Sequence, residues 1–210
     1  MRLARIDSIM RLGYFGGSFD PPHLGHLAVA TAAARAFGLQ RVLFAPTGRQ
    51  PLKPAAASAG FADRMAMTQR LCAEEPALLE AVALDAPRAD GSPNYTVDAL
   101  ESLHRNAPED EIFVLVGADA FLDIRRWRAP ERLLQLAEWI VVSRPGFSLQ
   151  ELDTLGLTPA QRLRVHALAG VEEPASATRI REELRAGSDC AGLLPPAVLE
   201  YIRAHSLYGT

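Results

Sequence analysis

Short apolar runs recur along this chain at residues 12–15, 41–45, 79–84, 112–116, 140–143 and 164–168, with helical patterns between them. The strongest, Ile112-Phe113-Val114-Leu115-Val116, contains no polar residue. A strand with one wet face alternates polar and apolar side chains, so an unbroken apolar run fits a strand covered on both faces. Strands that alternate with helices imply parallel pairing, because a parallel neighbour is reached through a crossover that is usually a helix. The pattern predicts an α/β fold: a doubly wound parallel sheet with helices on both faces. Helices are expected at 24–37, 61–73, 95–103, 118–124, 131–136, 159–163, 175–185 and 197–205, so the chain beyond Gly146 forms a small, mostly helical part.

Composition narrows the class. At 210 residues, with 49% hydrophobic and 22% charged residues, the chain suits one well-cored domain over residues 11–210. A net charge of −3 argues against a nucleic-acid surface, which carries a basic excess. Cys72 and Cys190, the only cysteines, suit a reducing compartment and a cytoplasmic protein. No apolar run is long enough for a membrane span. Residues 1–10 carry Arg2 and Arg5 but no long apolar core, so they read as an N-terminal extension and not a secretory signal.

Open α/β sheets bind ligands beyond the carboxyl ends of their strands. After the first strand comes Gly16-Gly17-Ser18-Phe19-Asp20-Pro21-Pro22-His23-Leu24-Gly25-His26. Two glycines permit a tight turn and a close backbone approach. Asp20 before Pro21 reads as a helix cap. His23 and His26, three apart, share one face of the first turn, and Gly25 leaves that face open. This is the make-up of a phosphate site at a helix N-terminus. A Walker A loop is excluded, since no Gly-Lys-Ser/Thr occurs, and the G-x-G-x-x-G fingerprint does not fit.

The other strand ends add to the set. Pro46-Thr47-Gly48 and then Lys53 follow the second strand, Gly117-Ala118-Asp119 the fourth, and Arg144-Pro145-Gly146 the fifth. Asp119 suits either a helix cap or an acceptor for ribose hydroxyls. Trp127, flanked by Arg125, Arg126 and Arg128, suits either a surface residue under arginine stems or a platform for a cationic ring. Asn94-Tyr95-Thr96 and Ser176-Ala177-Thr178-Arg179-Ile180-Arg181 both read as capped helix starts. In the second, hydroxyls, N–H groups and Arg181 one turn in suit a triphosphate.

His23-Leu24-Gly25-His26 has the H-x-G-H signature of the nucleotidyltransferases, which also occurs in class I aminoacyl-tRNA synthetases. The whole run from Gly16 to His26 resembles the bacterial nicotinate-mononucleotide adenylyltransferases. The likeness extends over residues 12–208, through Lys53, Arg64, Met67, the Asn94 to Asp98 stretch, Trp127, the Ser176 to Arg181 run and the tail to Tyr208. It implies a Rossmann-like fold and adenylyl transfer from ATP to nicotinate mononucleotide. Residues 11–146 would form the nucleotide-binding core, and 147–210 would complete the ATP site. By resemblance, His23, His26, Lys53 and Arg181 are catalytic. Gly16, Gly17, Ser18, Phe19, Gly25, Gly117, Asp119, Ser176 and Thr178 join the histidines and Arg181 around ATP. Gly17, Asp20, Lys53, Thr96, Trp127, Arg128 and Arg144 meet the mononucleotide. No protein-held metal is implied; Mg²⁺ arrives with ATP.

The chain departs from the family pattern at Arg128, where a Tyr is usual, at Leu52 for His, at Ala175 for Ile and at Ala177 for Ser. Alternatives are the same transfer to nicotinamide mononucleotide or phosphopantetheine, and a non-catalytic nucleotide sensor. The expected partners are ATP and nicotinate mononucleotide, in a monomer or small homo-oligomer.

Overall fold

In the computed structural model, residues 9–52, 57–143, 149–171 and 175–210 are described. The expected apolar runs become β1 (Arg11–Gly17), β2 (Arg41–Pro46), β3 (Leu79–Ala81), β4 (Glu111–Gly117), β5 (Glu138–Val142) and β6 (Val165–Leu168). They form one six-stranded sheet in the order β3-β2-β1-β4-β5-β6, and every pairing is parallel. Between them run α1 (Leu24–Phe37), α2 (Phe61–Cys72), α3 (Thr96–Asn106), α4 (Ala118–Leu122), α5 (Pro130–Leu136) and α6 (Pro159–Leu163). Helices α7 (Ala177–Arg185) and α8 (Pro196–Ala204) close the chain.

Successive side chains on a strand point to opposite faces, and β4 shows the consequence. Phe113 and Leu115 enter a core shared with Ala30 and Ala33 of α1, Met67 and Leu71 of α2, Ile180 and Leu184 of α7, and Val198 and Ile202 of α8. Ile112, Val114 and Val116 enter the opposite core with Val97 and Leu100 of α3, Phe121 of α4 and Leu133 and Leu134 of α5. Helices on both faces explain why its inner run, Ile112 to Val116, carries no polar residue. Helix α1 ends as its sequence predicts, on Gly38 at φ 63°, a left-handed conformation that glycine adopts without a Cβ clash.

Strand β3 is shorter than the 79–84 run suggests. Val82 N–H still donates to the Phe44 carbonyl (2.9 Å), and then the chain leaves the sheet so that Asp85 turns in to receive the Tyr14 hydroxyl (2.5 Å). Three 3-10 segments, Ile124–Arg126, Leu149–Leu155 and Leu207–Gly209, were not expected from the sequence. Among the described residues no helix is long and apolar enough to cross a membrane.

The strand order reverses between β1 and β4, because β2 and β3 lie to one side of β1 and β4, β5 and β6 to the other. The β1–β4 ladder stops at the Tyr14–Val114 pair, three residues short of Gly17 and Gly117 at the ends of the strands. This is the position at which doubly wound sheets open a ligand crevice.

Candidate active site

The first βα loop is a packed turn. Phe19 adopts φ 47° and is 2% exposed, with its ring 5.0 Å from that of His26. Phe15 packs on the same imidazole at 5.8 Å. Helix α1 begins at Leu24 with His23 as its cap residue, so Asp20 does not cap it as the Asp-Pro pair suggests. Asp20 is buried, and its carboxylate accepts the Ser58 and Ala59 N–H groups (2.6 and 3.0 Å) and the Tyr208 hydroxyl (2.8 Å). With three donors from distant segments on its side chain, it ties the loop down instead of starting the helix.

His23 and His26 come together as their spacing predicts, with ring centroids 3.7 Å apart. They are not the exposed pair that a helix start implies: His23 is only 7% exposed. Burial lowers the His23 pKa to about 4, and burial with the neighbouring His23 holds His26 well below the usual imidazole value. Both rings are therefore neutral at pH 7. The His23 backbone N–H donates to His26 Nδ1 (3.2 Å), so the neutral His26 ring carries its proton on Nε2. His23 Nδ1 is buried and has no hydrogen-bond partner among the described residues. Two closely packed imidazoles tilted 33° to each other, held at a helix start with an N–H to offer, form a donor pair for an anion.

Gly16 is needed beneath them for its small size. A Cβ there would stand 2.8 Å from the Tyr14 hydroxyl, in the space that lets Tyr14 reach Asp85. Burial raises the Asp85 pKa to about 6 despite the favourable Tyr14 hydrogen bond.

The carboxyl-terminal part reaches the same loop. Ser176 caps α7 by accepting the Arg179 N–H (3.3 Å), as its sequence predicts. One turn on, Arg181 donates to the Asp20 carbonyl (2.7 Å), a contact between residues 161 apart in sequence, and to Thr178 Oγ1 (3.3 Å). The Leu24 N–H at the start of α1 donates to the Leu193 carbonyl just before α8 (3.0 Å).

Across the crevice the arrangement is more open. Gly117 caps α4, with exposed Asp119 in its first turn. Thr96 is the first residue of α3. Its cap residue is Tyr95, whereas the Asn94 side chain accepts the Arg49 N–H (3.0 Å) and donates to the Ala86 carbonyl (2.9 Å). Trp127 is half-buried, packed edge-on against the buried Trp139 at 6.1 Å. The Arg128 guanidinium lies over the Tyr95 ring, 4.6 Å from its centroid, which joins the Trp127 loop to the start of α3. Lys53 and Arg144 lie outside the described residues.

Sequence reasoning gave Arg64 no role of its own in the site. Arg64 is 2% exposed, and it donates to the Ser18 carbonyl (2.6 Å) and the Ala59 carbonyl (3.2 Å). The signal was present: Arg64 falls on the buried stripe of α2 with Met67, Thr68 and Leu71, and a cation at a core position of a helix needs partners. Tyr14 and Asp85 carried no such signal, since their pairing spans 71 residues.

The donors gathered here are imidazoles, guanidinium and backbone N–H groups, which suit phosphate and not a bare cation. No cluster of three or more His, Cys, Asp or Glu side chains that could hold a metal ion occurs among the described residues.

Residues 14–183 match the family model described as cytidylyltransferase-like. The chain is 40% identical over 200 residues to the "probable nicotinate-nucleotide adenylyltransferase" of Thermus thermophilus, covering 95% of this chain and 100% of the relative. A protein of the same name from Herpetosiphon aurantiacus is 37% identical over 200 residues, covering 95% of this chain and 99% of that one. In fold, the chain is similar to Plasmodium falciparum nicotinic acid mononucleotide adenylyltransferase complexed with NaAD. That match has a TM-score of 0.76 at 17% identity and covers 95% of this chain and 97% of the other.

Proposed function

The chain belongs to the cytidylyltransferase-like family, among the nicotinate-nucleotide adenylyltransferases, and from that premise we propose that it transfers the adenylyl group of ATP to nicotinate mononucleotide in NAD biosynthesis. An oxygen of the mononucleotide 5′-phosphate attacks the α-phosphorus of ATP. The bond from that phosphorus to the oxygen bridging to the β-phosphate breaks. Pyrophosphate leaves, and nicotinate adenine dinucleotide remains. The attacking phosphate is ionised at neutral pH, so no general base is needed. Catalysis rests on positioning and on stabilising charge that develops on the phosphates.

The observation that carries this reading is the Arg181–Asp20 contact, which brings the α7 start to the histidine loop. Neutral His23 and His26 donate to ATP phosphate oxygens, His26 through Nε2. Approach of the polyanion favours the protonated imidazoles, so both pKa values rise on binding. Arg181, with donors left beyond its two internal contacts, and Lys53 add charge on the triphosphate and the leaving pyrophosphate. Gly16, Gly17, Ser18, Phe19 and Gly25 bring backbone close to the nucleotide, with Ser176 and Thr178 beside the triphosphate. Gly117 and Asp119 face the ribose. Trp127 stacks on the pyridinium, and N–H groups at Thr96 and Arg128 meet the carboxylate. Gly17, Lys53 and Arg144 complete the mononucleotide side. Asp20 serves that side by position, since its carboxylate already receives three internal donors. The substrate is written as the Mg²⁺ complex of ATP, its metal held by phosphate and water oxygens. Two free, buried cysteines support a cytoplasmic setting.

ATP labelled at the α-phosphate tests the reaction. The label is expected in the dinucleotide, with unlabelled pyrophosphate released in equal amount. Label in a released phosphate, or no dinucleotide, would overturn it.

A further inference from the structure

We propose that Tyr208, near the carboxyl end of the chain, is a positioning residue for ATP that acts through Asp20 on Arg181 and on the end of the loop before α2. The inference rests on the adenylyl-transfer reading for its ligand but on separate geometry for its mechanism.

Asp20 is a hub. Its Oδ1 accepts both the Tyr208 hydroxyl (2.8 Å) and the Ala59 N–H (3.0 Å), and its Oδ2 accepts the Ser58 N–H (2.6 Å). Its backbone carbonyl accepts Arg181 (2.7 Å). Arg64, buried alongside, holds the carbonyls of Ser18 and Ala59. One residue thus fixes three things relative to the histidines: through its carbonyl the guanidinium of α7, and through its carboxylate residues 58–59 before α2 and the Tyr208 turn. The Tyr208 hydroxyl is the only side-chain donor among the described partners of that carboxylate. It is the contact that a substitution can delete without touching the backbone.

The terminus is built to deliver this hydroxyl. Tyr208 sits at φ 62°, the left-handed conformation that a bulky residue adopts only when its surroundings hold it there. The turn that holds it packs on α7 and α8, and Thr210 Oγ1 anchors it by donating to the Leu207 carbonyl (3.0 Å). Burial and the adjacent Asp20 carboxylate raise the phenol pKa, so the hydroxyl keeps its proton and stays a donor. A ring that served packing alone would need neither the strained turn nor the buried acceptor.

Tyr208→Phe removes the hydroxyl and keeps the ring. ATP affinity, measured by calorimetry with Mg²⁺ and no acceptor present, is expected to fall about 5-fold or more, the scale of one lost hydrogen bond. Mononucleotide affinity, read by tryptophan fluorescence, is expected to fall by less than ATP affinity, because Asp20 meets the mononucleotide by position only, whereas Arg181 is bonded to it directly. Amide exchange at Ser58 and Ala59 is expected to rise at least about 10-fold as their acceptor loosens. In an Arg181→Ala background the same substitution is expected to add less than about 2-fold to the ATP effect, the non-additivity of residues that act together. Unchanged ATP affinity with unchanged exchange, or an effect additive with Arg181→Ala, would overturn the proposal. Failure of the wild type to make dinucleotide would overturn the reaction instead, since neither binding nor exchange is read through turnover.

Discussion

The two sides of the crevice are built differently. On the β1 side, Phe19, Asp20, His23 and Arg64 are all buried, and hydrogen bonds from α2, α7 and the last turn converge on one loop. On the β4 side, Gly117, Asp119 and Arg128 are exposed, and Trp127 is half-buried, edge-on to Trp139 of the opposite core. The difference follows the chemistry. Groups that stabilise charge as it develops act best when fixed in advance, because nothing then has to reorganise during the reaction. A flat ring that recognises a base needs only an open face. On the proposed reading, the phosphate side is the densely bonded side and the base side the open one.

His26→Ala tests this contrast most severely. It should lower kcat about 10²-fold or more, comparable to losing one preorganised oxyanion donor. Asp119→Ala, on the open side, should cost about 10-fold or less, the scale of one lost hydrogen bond, and should act mainly through KM for ATP. Steady-state kinetics on variants shown by circular dichroism to be folded would decide. Equal losses in kcat would erase the distinction between the two sides.

Acid stability is the next largest effect. The folded pKa of His23 is lowered from 6.5 to about 4, so the unfolded chain binds the extra proton first. The stability tied to the neutral ring is present above pH 6.5 and lost as pH falls toward 4, by up to about 3 kcal/mol at 1.36 kcal/mol per pKa unit. Urea denaturation at pH 7 and pH 4.5 should show that loss in the wild type and a smaller one in His23→Gln. An equal loss in both would remove the histidine from the account.

Trp127→Ala should raise KM for nicotinate mononucleotide about 10-fold, with kcat and KM for ATP little changed, as expected for loss of a stacking surface. Trp127→Phe should recover part of it. A larger effect on ATP than on the mononucleotide would place the base elsewhere.

The smallest effect concerns Asp85, whose folded pKa is raised from 3.8 to about 6 by burial. Its contribution to stability is present at low pH and lost as pH rises through about 6. Asp85→Asn keeps an oxygen for the Tyr14 hydroxyl and removes the buried charge. It should be more stable than wild type by about 1–2 kcal/mol at pH 8, with the advantage about halved at pH 5 and gone below the unfolded pKa of 3.8, checked by thermal melts across that range.

What the sequence discloses and what it hides divide along the same line. The sheet is legible because β4 and its neighbours are buried on both faces, and the glycines at strand ends mark where the crevice opens. The Ser176 cap and Arg181 are legible because a helix start is a local device. Asp20 reads as a helix cap, and the fold uses it otherwise: its partners Ser58, Ala59 and Tyr208 are remote, and pairing across that distance leaves no local pattern. The histidines read as exposed because the turn folds Phe15 and Phe19 back onto His26, a packing that no helical or strand periodicity announces. Residues 82–84 continue a β pattern in sequence, and the buried Tyr14–Asp85 bond draws the chain out of the sheet there.

The most direct test of the central claim, a fixed phosphate side that performs transfer and an open base side that chooses the acceptor, is pyrophosphate release measured with Mg·ATP against nicotinate mononucleotide, nicotinamide mononucleotide and phosphopantetheine. In the proposed binding mode, a carboxylate would satisfy the N–H groups near Thr96 and Arg128, whereas a carboxamide would turn donors toward them. The account predicts that nicotinate mononucleotide is used with a kcat/KM about 10²-fold or more above the amide, and that phosphopantetheine gives no turnover. Equal kcat/KM for the acid and the amide, or no release with nicotinate mononucleotide, would contradict it.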